Sequence, residues 1–157
     1  MDPDERFLRL AIEKALEGIS RGQTPFGACI VRAGEVIACE HNVVWATTDI
    51  TAHAEVHAIR MACAALQTVD LSGCTVYSTC EPCPMCFSAC HWARVERIVY
   101  GASIRDAQLY GFNELPVGNV ELKHLGRSPV KIRGGLLVSA CLELFRLWSQ
   151  QGSRRTY

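Results

Sequence analysis

The sequence carries no excess of either charge. Sixteen Lys and Arg residues balance sixteen Asp and Glu residues, so the formal net charge is zero and the pI is about 6.9. Nucleic acid binding depends largely on clustered Lys and Arg that contact phosphates. The overall balance therefore gives no general reason to expect DNA or RNA as a partner, although a local basic groove stays compatible with it.

The sequence also lacks a long apolar run. No stretch reaches the roughly 20 apolar residues that a membrane-spanning helix needs, and the acidic start over residues 1–6 is unlike a signal peptide. Nine cysteines are present, an odd number. Without an export signal, we expect thiols that stay free or bind metal in a reducing compartment. The expectation is a cytoplasmic protein without membrane contact.

The length of 157 residues fits one domain, and the 49% of hydrophobic residues can form a substantial core. Five helices are expected. The first runs from residue 2 to about residue 22, the second begins at residue 51, and the third begins within 80–86. The last two cover 105–109 and 139–150. Strands are expected over 26–31, 36–43, 75–78, 98–100 and 130–132, and 115–126 is expected to be a surface loop. Because helices and strands alternate, the pattern predicts one layered α/β domain over residues 1–157.

Cys83 and Cys86 form the first pattern that carries chemistry. A spacing of three puts both side chains on one face of a helix, and Pro84 between them is favoured at the first helical position. At a helix N-terminus the dipole favours thiolate over thiol, and thiolate is the form that binds a metal. Alone, the Cys-x-x-Cys pattern also fits a redox pair or half of a structural zinc site.

The segment 51–55 supplies the expected third ligand. Catalytic zinc takes three protein ligands and keeps one position for water, and His53 with Cys83 and Cys86 gives that number. Glu55 is the candidate for proton transfer between water and substrate. Residues two apart lie on different faces of a helix, so His53 and Glu55 can share a site only over the helix end.

Other metal arrangements stay open at this point. His57 lies four residues after His53 and would share its helix face, but a fourth ligand would close the metal to water. Cys80 and Cys90 are the other nearby thiols, and spacing alone is compatible with a closed site made only of cysteines. The segment differs from the zincin motif, in which the acid directly follows the first histidine.

His53-Ala54-Glu55, followed by Pro82-Cys83-Pro84-Met85-Cys86, resembles the zinc-binding signature of the cytidine deaminase superfamily. Two separated motifs together are far more specific than either alone, and the resemblance runs along almost the whole chain. It implies a three-layer α/β/α domain with a central mixed five-stranded sheet and zinc between two helix N-termini. It also implies that activated water attacks an amino-bearing ring carbon, that Glu55 shuttles protons and that ammonia leaves.

Within the superfamily the sequence most resembles bacterial guanine deaminases, in the stretches 25–28, 51–56, 80–86 and 92–94. This resemblance implies a zinc-dependent aminohydrolase that converts guanine to xanthine and ammonia, acts on a small-molecule base and forms a homodimer. It assigns Phe26 and Trp92 to the walls of the base cavity and Asn42 to a hydrogen bond with the ring. Ala54 belongs to the same substrate-binding set.

Glu114 is a departure from that family. The family has an Asp two residues after Gly-Phe, where it reads the ring N–H and amino group, and this chain has Glu114. The carboxylate is one methylene longer, so the ring shifts or the substrate differs, and we include Glu114 in the substrate-binding set. The stretch 131–137 instead resembles tRNA adenosine deaminases. This speaks against exchange of the C-terminal segment between subunits and leaves open whether Tyr157 reaches a site.

Three alternatives have arguments from the residues. A stripe of basic side chains would suit tRNA, as in a tRNA adenosine deaminase, although a solvated loop face is the simpler interpretation; its members are Lys123, Arg127, Lys131 and Arg133. Another free base, such as cytosine or an amino-triazine, fits the unusual Glu114. A zinc-stabilised binding module without activity would be favoured by a missing acid, and Glu55 is present.

Overall fold

The computed structural model of the protein describes residues 1–152 and 154–157. The helices are α1 (Pro3–Ser20), α2 (Val44–Thr47), α3 (Ala54–Leu66), α4 (Pro84–Trp92), α5 (Ile104–Leu109), α6 (Asn119–Gly126) and α7 (Val138–Ser149). The strands are β1 (Gly27–Arg32), β2 (Glu35–His41), β3 (Cys74–Cys80), β4 (Arg97–Ala102) and β5 (Lys131–Arg133). Among the described residues, none of these helices combines the length and the apolar character needed to cross a membrane.

The five strands form one mixed sheet in the order β2-β1-β3-β4-β5. Strand β1 is antiparallel to both of its neighbours, whereas β3, β4 and β5 run parallel to one another. Helices α1 and α7 pack together on one face of the sheet, and α3 packs on the other face with α4 beside it. The expected three-layer α/β/α arrangement with a mixed five-stranded sheet is confirmed.

Helix α1 starts and packs for reasons that are visible in its sequence. Asp2 is the N-cap, and its Oδ1 accepts the N–H of Asp4 at 2.9 Å, while Pro3 occupies the first helical position. At the sheet, a Cβ on Gly27 would collide with the carbonyl oxygen of Ala11. Glycine at this position therefore lets α1 lie directly on β1.

Helix α3 packs on the sheet through alanine. Ala54, Ala58 and Ala62, four residues apart, have no exposed surface. The larger apolar residues of the helix are only half-buried, at the borders of this face: Val56, Ile59, Cys63 and Leu66. Small side chains on the contact face bring the helix axis close to the sheet, which places the N-terminus of α3 beside the ends of the strands.

Three segments differ from the sequence-based expectation. Helix α6 occupies most of the predicted surface loop over 115–126, because its N-terminal backbone is capped by a carboxylate from a distant segment, that of Glu81. Helix α2 lies in a segment for which no element was predicted. Helix α3 begins at Ala54 and not at Thr51, since His53 has an extended backbone and is the N-cap.

Asp4 is a buried acid that joins four elements. Tyr77 on β3 donates to its Oδ1 at 2.8 Å, and Arg97 on β4 donates to both oxygens at 2.6 and 2.8 Å. Arg133 on β5 donates to the same carboxylate and to Asp2. The Asp4 side chain is 8% exposed, and the Arg97 hydrogen bond lowers its pKa well below the usual range. This network ties α1 to three parallel strands.

We expect Asp4→Asn to lower the free energy of unfolding by about 3 kcal/mol at pH 7, because two arginines lose a buried partner. A carboxyl whose pKa is depressed in the folded state contributes stability above its unfolded pKa, about 3.9. That contribution is lost as the pH falls through the folded value. The difference between wild type and variant in urea unfolding should therefore shrink from pH 7 to pH 3.

The control is Asp70→Asn, which removes an exposed acid that lies 3.9 Å from Arg94. An exposed pair of this kind contributes at most about 1 kcal/mol. Equal destabilisation by the two substitutions at pH 7 would contradict the role given to Asp4.

Candidate active site

Helices α3 and α4 begin next to each other, and each carries a predicted ligand at its N-cap. His53 precedes α3 and Cys83 precedes α4, both with extended backbone, at ψ 157° and 168°. Neither side chain caps its own helix by a hydrogen bond. Both side chains are therefore free to face a common point between the two helix ends, where the helix dipoles favour negative ligands.

The three predicted metal ligands lie together. Nδ1 of His53 is 3.5 Å from Sγ of Cys83 and 3.5 Å from Sγ of Cys86. All three donor atoms lie within 4.8 Å of one another. Tetrahedral bonds of about 2.1 Å to nitrogen and 2.3 Å to sulfur would separate such donors by roughly 3.6 Å. The donor set and its spacing thus fit zinc and leave a fourth position open.

The two thiols hold their protons differently. A hydrogen bond from Cys86 lowers the pKa of Cys83 to about 4, burial opposes this, and His53 adds to the lowering. Burial raises the pKa of Cys86 well above its usual value. One thiolate is therefore present at neutral pH before a metal binds. The second proton leaves when the metal binds, because only the thiolate is a ligand.

Glu55 lies in the first turn of α3, directly beside this cluster, and only 5% of its surface is exposed. The first-turn position resolves the spacing problem, since His53 and Glu55 meet over the end of the helix. Burial raises the pKa of Glu55, and the charge of Cys83 raises it further. Both effects favour the protonated form of the carboxyl, and a group that takes up and delivers protons is what general acid and base catalysis requires.

Ser78 contacts Glu55 and was not identified from the sequence. Its Oγ lies 2.8 Å from Oε1 of Glu55 and 2.7 Å from the carbonyl oxygen of Cys80. The hydroxyl has one proton, and the carbonyl can only accept. Ser78 therefore donates to the ionised Glu55, or donates to Cys80 and accepts from protonated Glu55, so it supports both states. The available signal was a polar pair, Ser78-Thr79, at the end of an apolar strand.

The rival ligands are engaged elsewhere. His57 Nδ1 lies 3.1 Å from the carbonyl oxygen of His41, and its Nε2 lies 3.8 Å from Glu40. Sγ of Cys80 donates to the carbonyl oxygen of Ser103 at 3.4 Å, and Cys90 is buried in the apolar core. Within the described part of the chain, the metal-type group consists of His53, Cys83 and Cys86. The closed sites considered above are not formed.

A cavity of about 290 Å³ opens beside the cluster. Its lining includes Ile50, His53, Cys83, Met85, Phe112, Glu114, Leu115 and Tyr157. A narrower space of about 20 Å³ shares His53, Cys83, Glu114 and Tyr157 with it and adds Phe26 and Glu55. Ligand pockets usually measure about 300–1,000 Å³, so a cavity of this size suits a small molecule.

Of the residues assigned to substrate binding, Phe26 lines the narrower space together with Tyr157, whereas Asn42 lies behind Tyr157 and lines neither space. The Phe26 ring packs 5.0 Å from Phe112 and 6.4 Å from Tyr157, measured between centroids. Asn42 is fully buried; its Nδ2 donates to the Tyr157 hydroxyl at 2.6 Å, and its Oδ1 accepts the N–H of Val44. Within the single chain, the ring of Tyr157 lies 5.0 Å from that of His53, measured between centroids.

Glu114 lines both parts of the cavity. Burial raises the pKa of Glu114 to about 7, and the negative charges of Cys83 and Glu55 add to the shift. No described residue donates a hydrogen bond to its carboxylate, which leaves Glu114 available to a ligand in the cavity. Ala54 is fully buried at the first position of α3, where the backbone N–H has no acceptor within the helix.

The structure contradicts the assignment of Trp92 to this pocket within one chain. Trp92 is the last residue of α4, whereas Cys83 precedes the first, so about 13 Å of helix separate them. Its side chain is 84% exposed and borders a different cavity, with His91 and Val95. The sequence motif predicts the helix that carries Trp92, but it does not show which end of that helix faces the ligand.

A family model supplies the comparison that decides the family. The model described as "Cytidine and deoxycytidylate deaminase zinc-binding region" matches residues 1–102, which contain His53, Glu55, Cys83 and Cys86. The chain belongs to this family. Its members are zinc-dependent deaminases, and the His/Cys/Cys group described above is positioned to hold the metal.

Relatives in the deaminase family carry two different names. A guanine deaminase from Bacillus subtilis is 47% identical over 70% of this chain and 71% of its own length. A tRNA-specific adenosine deaminase from Aquifex aeolicus is 44% identical over 62% of this chain and 65% of its own length. A solved guanine deaminase from Nitrosomonas europaea superposes with a TM-score of 0.85 at 30% identity, covering 94% of this chain and 85% of that one.

We expect one equivalent of zinc per chain in protein that is purified without added metal. The double substitution His53→Ala/Cys83→Ala should abolish zinc binding, because two of three ligands are removed. His57→Ala is the matched control and should keep full occupancy, since His57 faces His41 and Glu40. Elemental analysis gives the stoichiometry, and full zinc occupancy in the double variant would contradict the assigned ligand set.

Proposed function

We propose that the protein is a guanine deaminase, which hydrolyses guanine to xanthine and ammonia. The observation that carries this proposal is the small cavity that brings an open His/Cys/Cys metal group, Glu55 and Glu114 together. The 47% identity to a protein named guanine deaminase supports the same substrate. We further propose that residues 1–157 act as one catalytic unit with His53, Cys83 and Cys86 as the zinc ligands.

Glu55 performs the proton transfers in this proposal. Zinc, when bound, supplies a Lewis acid that activates water for attack on the amino-bearing carbon. Oε1 and Oε2 of Glu55 take a proton from the attacking water, deliver protons to the ring nitrogen and to the amino group, and a C–N bond breaks as ammonia leaves. Atoms balance, since water and guanine give xanthine and ammonia. Ser78 holds Glu55 in both protonation states.

Glu114, Phe26, Asn42 and Ala54 bind the base. An ionised Glu114 accepts from the adjacent donors of guanine, N1–H and the 2-amino group. Phe26 contributes an apolar wall, and the N–H of Ala54 and the amide of Asn42 are donors for ring acceptors. In this structure the Asn42 amide donates a hydrogen bond to the Tyr157 hydroxyl. Tyr157 therefore has to move when a base accepts from that amide.

The alternative function is that of a tRNA adenosine deaminase, and similarity to a solved structure supports this alternative. A solved structure titled for tRNA:A34 deaminases covers 88% of this chain and 98% of its own at 34% identity, with a TM-score of 0.78. The basic stripe argues against it. Arg133 is bound by Asp2 and Asp4, Lys131 pairs with Glu96 at 3.4 Å, and Lys123 donates to the Ser128 carbonyl oxygen. Three of the four side chains of the stripe are thus engaged within the chain, with Arg127 as the exception.

We also propose a cytoplasmic homodimer. The nine cysteines, all within the described residues, are free, which suits a reducing compartment. Several large apolar side chains are exposed near α4 and α6, with Trp92 at 84%, Leu125 at 71% and Val120 at 66%. A cavity lined by Phe87, Leu122 and Leu125 lies between them. Exposed apolar groups of this kind are typical of a subunit interface.

Ammonia release from a substrate panel tests the function. The panel is guanine, guanosine, cytosine, adenine, ammeline and a tRNA anticodon stem-loop, and we expect turnover of guanine above all others. Glu55→Gln is the matched control, since it keeps zinc and shape but should lose at least about 10²-fold in rate. Faster turnover of the stem-loop or of adenine would overturn the guanine assignment. A Glu55→Gln variant with more than a tenth of wild-type rate would remove Glu55 from the mechanism.

Glu114→Gln tests how the base is read. It replaces one acceptor by a donor that faces N1–H, so guanine turnover should fall about ten- to a hundredfold. Glu114→Asp keeps the charge and should have a milder effect, and residual adenine turnover should barely change in either variant. Equal losses on guanine and adenine, or no loss on guanine, would contradict the role of Glu114. Steady-state kinetics with both bases provides the measurement.

A further inference from the structure

The carboxylate of Glu81 joins the first backbone N–H groups of two helices. Oε1 accepts from the N–H of Ile104, the first residue of α5, at 3.2 Å. Oε2 accepts from the N–H of Asn119, the first residue of α6, at 2.9 Å. A helix leaves its first N–H groups without intrahelical partners, and a negative charge there is favoured by the dipole. One side chain thus fixes the starts of both helices.

The side chain of Asn119 in turn contacts the segment that contains Glu81. It is fully buried, and its Nδ2 donates to the carbonyl oxygen of Pro82 at 2.6 Å. The side chain of Glu81 binds the backbone of Asn119, and the side chain of Asn119 binds the backbone next to Glu81. Even Gly118 leaves little room, since a Cβ there would lie 3.0 Å from Oε2 of Glu81. We call Glu81 and Asn119 the clasp.

Glu81 of the clasp binds Asn119, which directly follows segment 110–118, and Ile104 at the start of α5, the six-residue helix that directly precedes the segment. This segment connects α5 and α6 and carries Glu114. Glu81 also lies two residues before Cys83, so the clasp connects the segment of Glu114 to the segment of the metal ligand. Glu81 itself lines the narrow inner cavity together with Glu55 and Glu114.

We propose that Glu81 and Asn119 are positioning residues for Glu114, which hold segment 110–118 at the distance from Cys83 that guanine requires. This proposal rests on the proposed function. Two backbone N–H groups at helix starts bind the two oxygens of Glu81 and fix its side chain in one geometry.

A double-mutant cycle between Glu81→Gln and Glu114→Gln tests the proposal. Glutamine offers one acceptor where two N–H groups need partners, so one bond is lost with little change in shape. Glu81→Gln should lower kcat/KM for guanine about tenfold in the wild-type background. In the Glu114→Gln background the same substitution should cost less than about twofold, because residues that act through one another are not additive. Asn119→Ala should show the same coupling.

Hydrogen exchange provides a readout that is independent of guanine. Amide exchange within 110–118 should be faster in Glu81→Gln, while zinc content stays at one equivalent. Glu121→Gln is the matched control, since it removes an exposed acid from the first turn of the same helix α6, and it should change neither kcat/KM nor exchange.

Two results would overturn the clasp: unchanged exchange within 110–118 in Glu81→Gln, or an equal loss of kcat/KM in both backgrounds. Failure of the proposed function is recognised separately, by a Glu114→Gln variant that keeps wild-type guanine turnover. In that case faster exchange in Glu81→Gln still supports the clasp as the element that fixes the segment.

Discussion

The antiparallel pairing of β1 with both of its neighbours places the residues of the candidate active site at one end of the strands. Gly27 at the start of β1 lies opposite His41 at the end of β2, and Ala28 lies opposite Ser78 near the end of β3. The parallel pairing of β3 with β4 then brings Cys80 beside Ala102. Segments that are far apart in sequence therefore enter or leave the sheet side by side. The positions of α3, α4 and segment 110–118 all depend on this register.

The pocket at this end of the strands is surrounded mainly by side chains that can carry a negative charge. Hydrogen bonds with Cys86 and His53 lower the pKa of Cys83, and burial together with the negative charge of Cys83 raises the pKa values of Glu55 and Glu114. The helix N-termini offset part of this repulsion. A divalent cation offsets much more of it, so metal binding and the ionisation of the acids are linked. The same residues that hold zinc thus also set how many protons the pocket carries.

Much of the site was predictable because it depends on local geometry. The spacing of Cys83 and Cys86, and the requirement that His53 and Glu55 meet over a helix end, each follow from the dimensions of a helix. Trp92 could not be placed in this way, since a motif on a helix does not say which end faces the ligand. The strands and most helices were likewise predicted to within a few residues.

The remaining differences arise from contacts between distant segments. Helix α6 lies where the sequence predicts a surface loop, because Glu81 caps the helix from the segment before α4. Tyr157 has no local pattern that indicates a role, and the local signal for Ser78 is only a polar pair at the end of an apolar strand. They become part of the site only through contacts with Glu55 and Asn42, which are far from them along the chain.

The location of Glu114 after β4 has a consequence for how such enzymes diversify. The hydrolytic group lies within residues 1–102, the part that the family shares, whereas Phe112, Glu114 and Tyr157 follow it. These three residues of the pocket thus lie outside the stretch that the family model matches, and the reactive centre lies within it. Substitutions in the last third of the chain can therefore change the wall of the pocket while His53, Glu55, Cys83 and Cys86 stay the same. Similarity of one chain both to a guanine deaminase and to a tRNA-specific adenosine deaminase is what such a division of the sequence would produce.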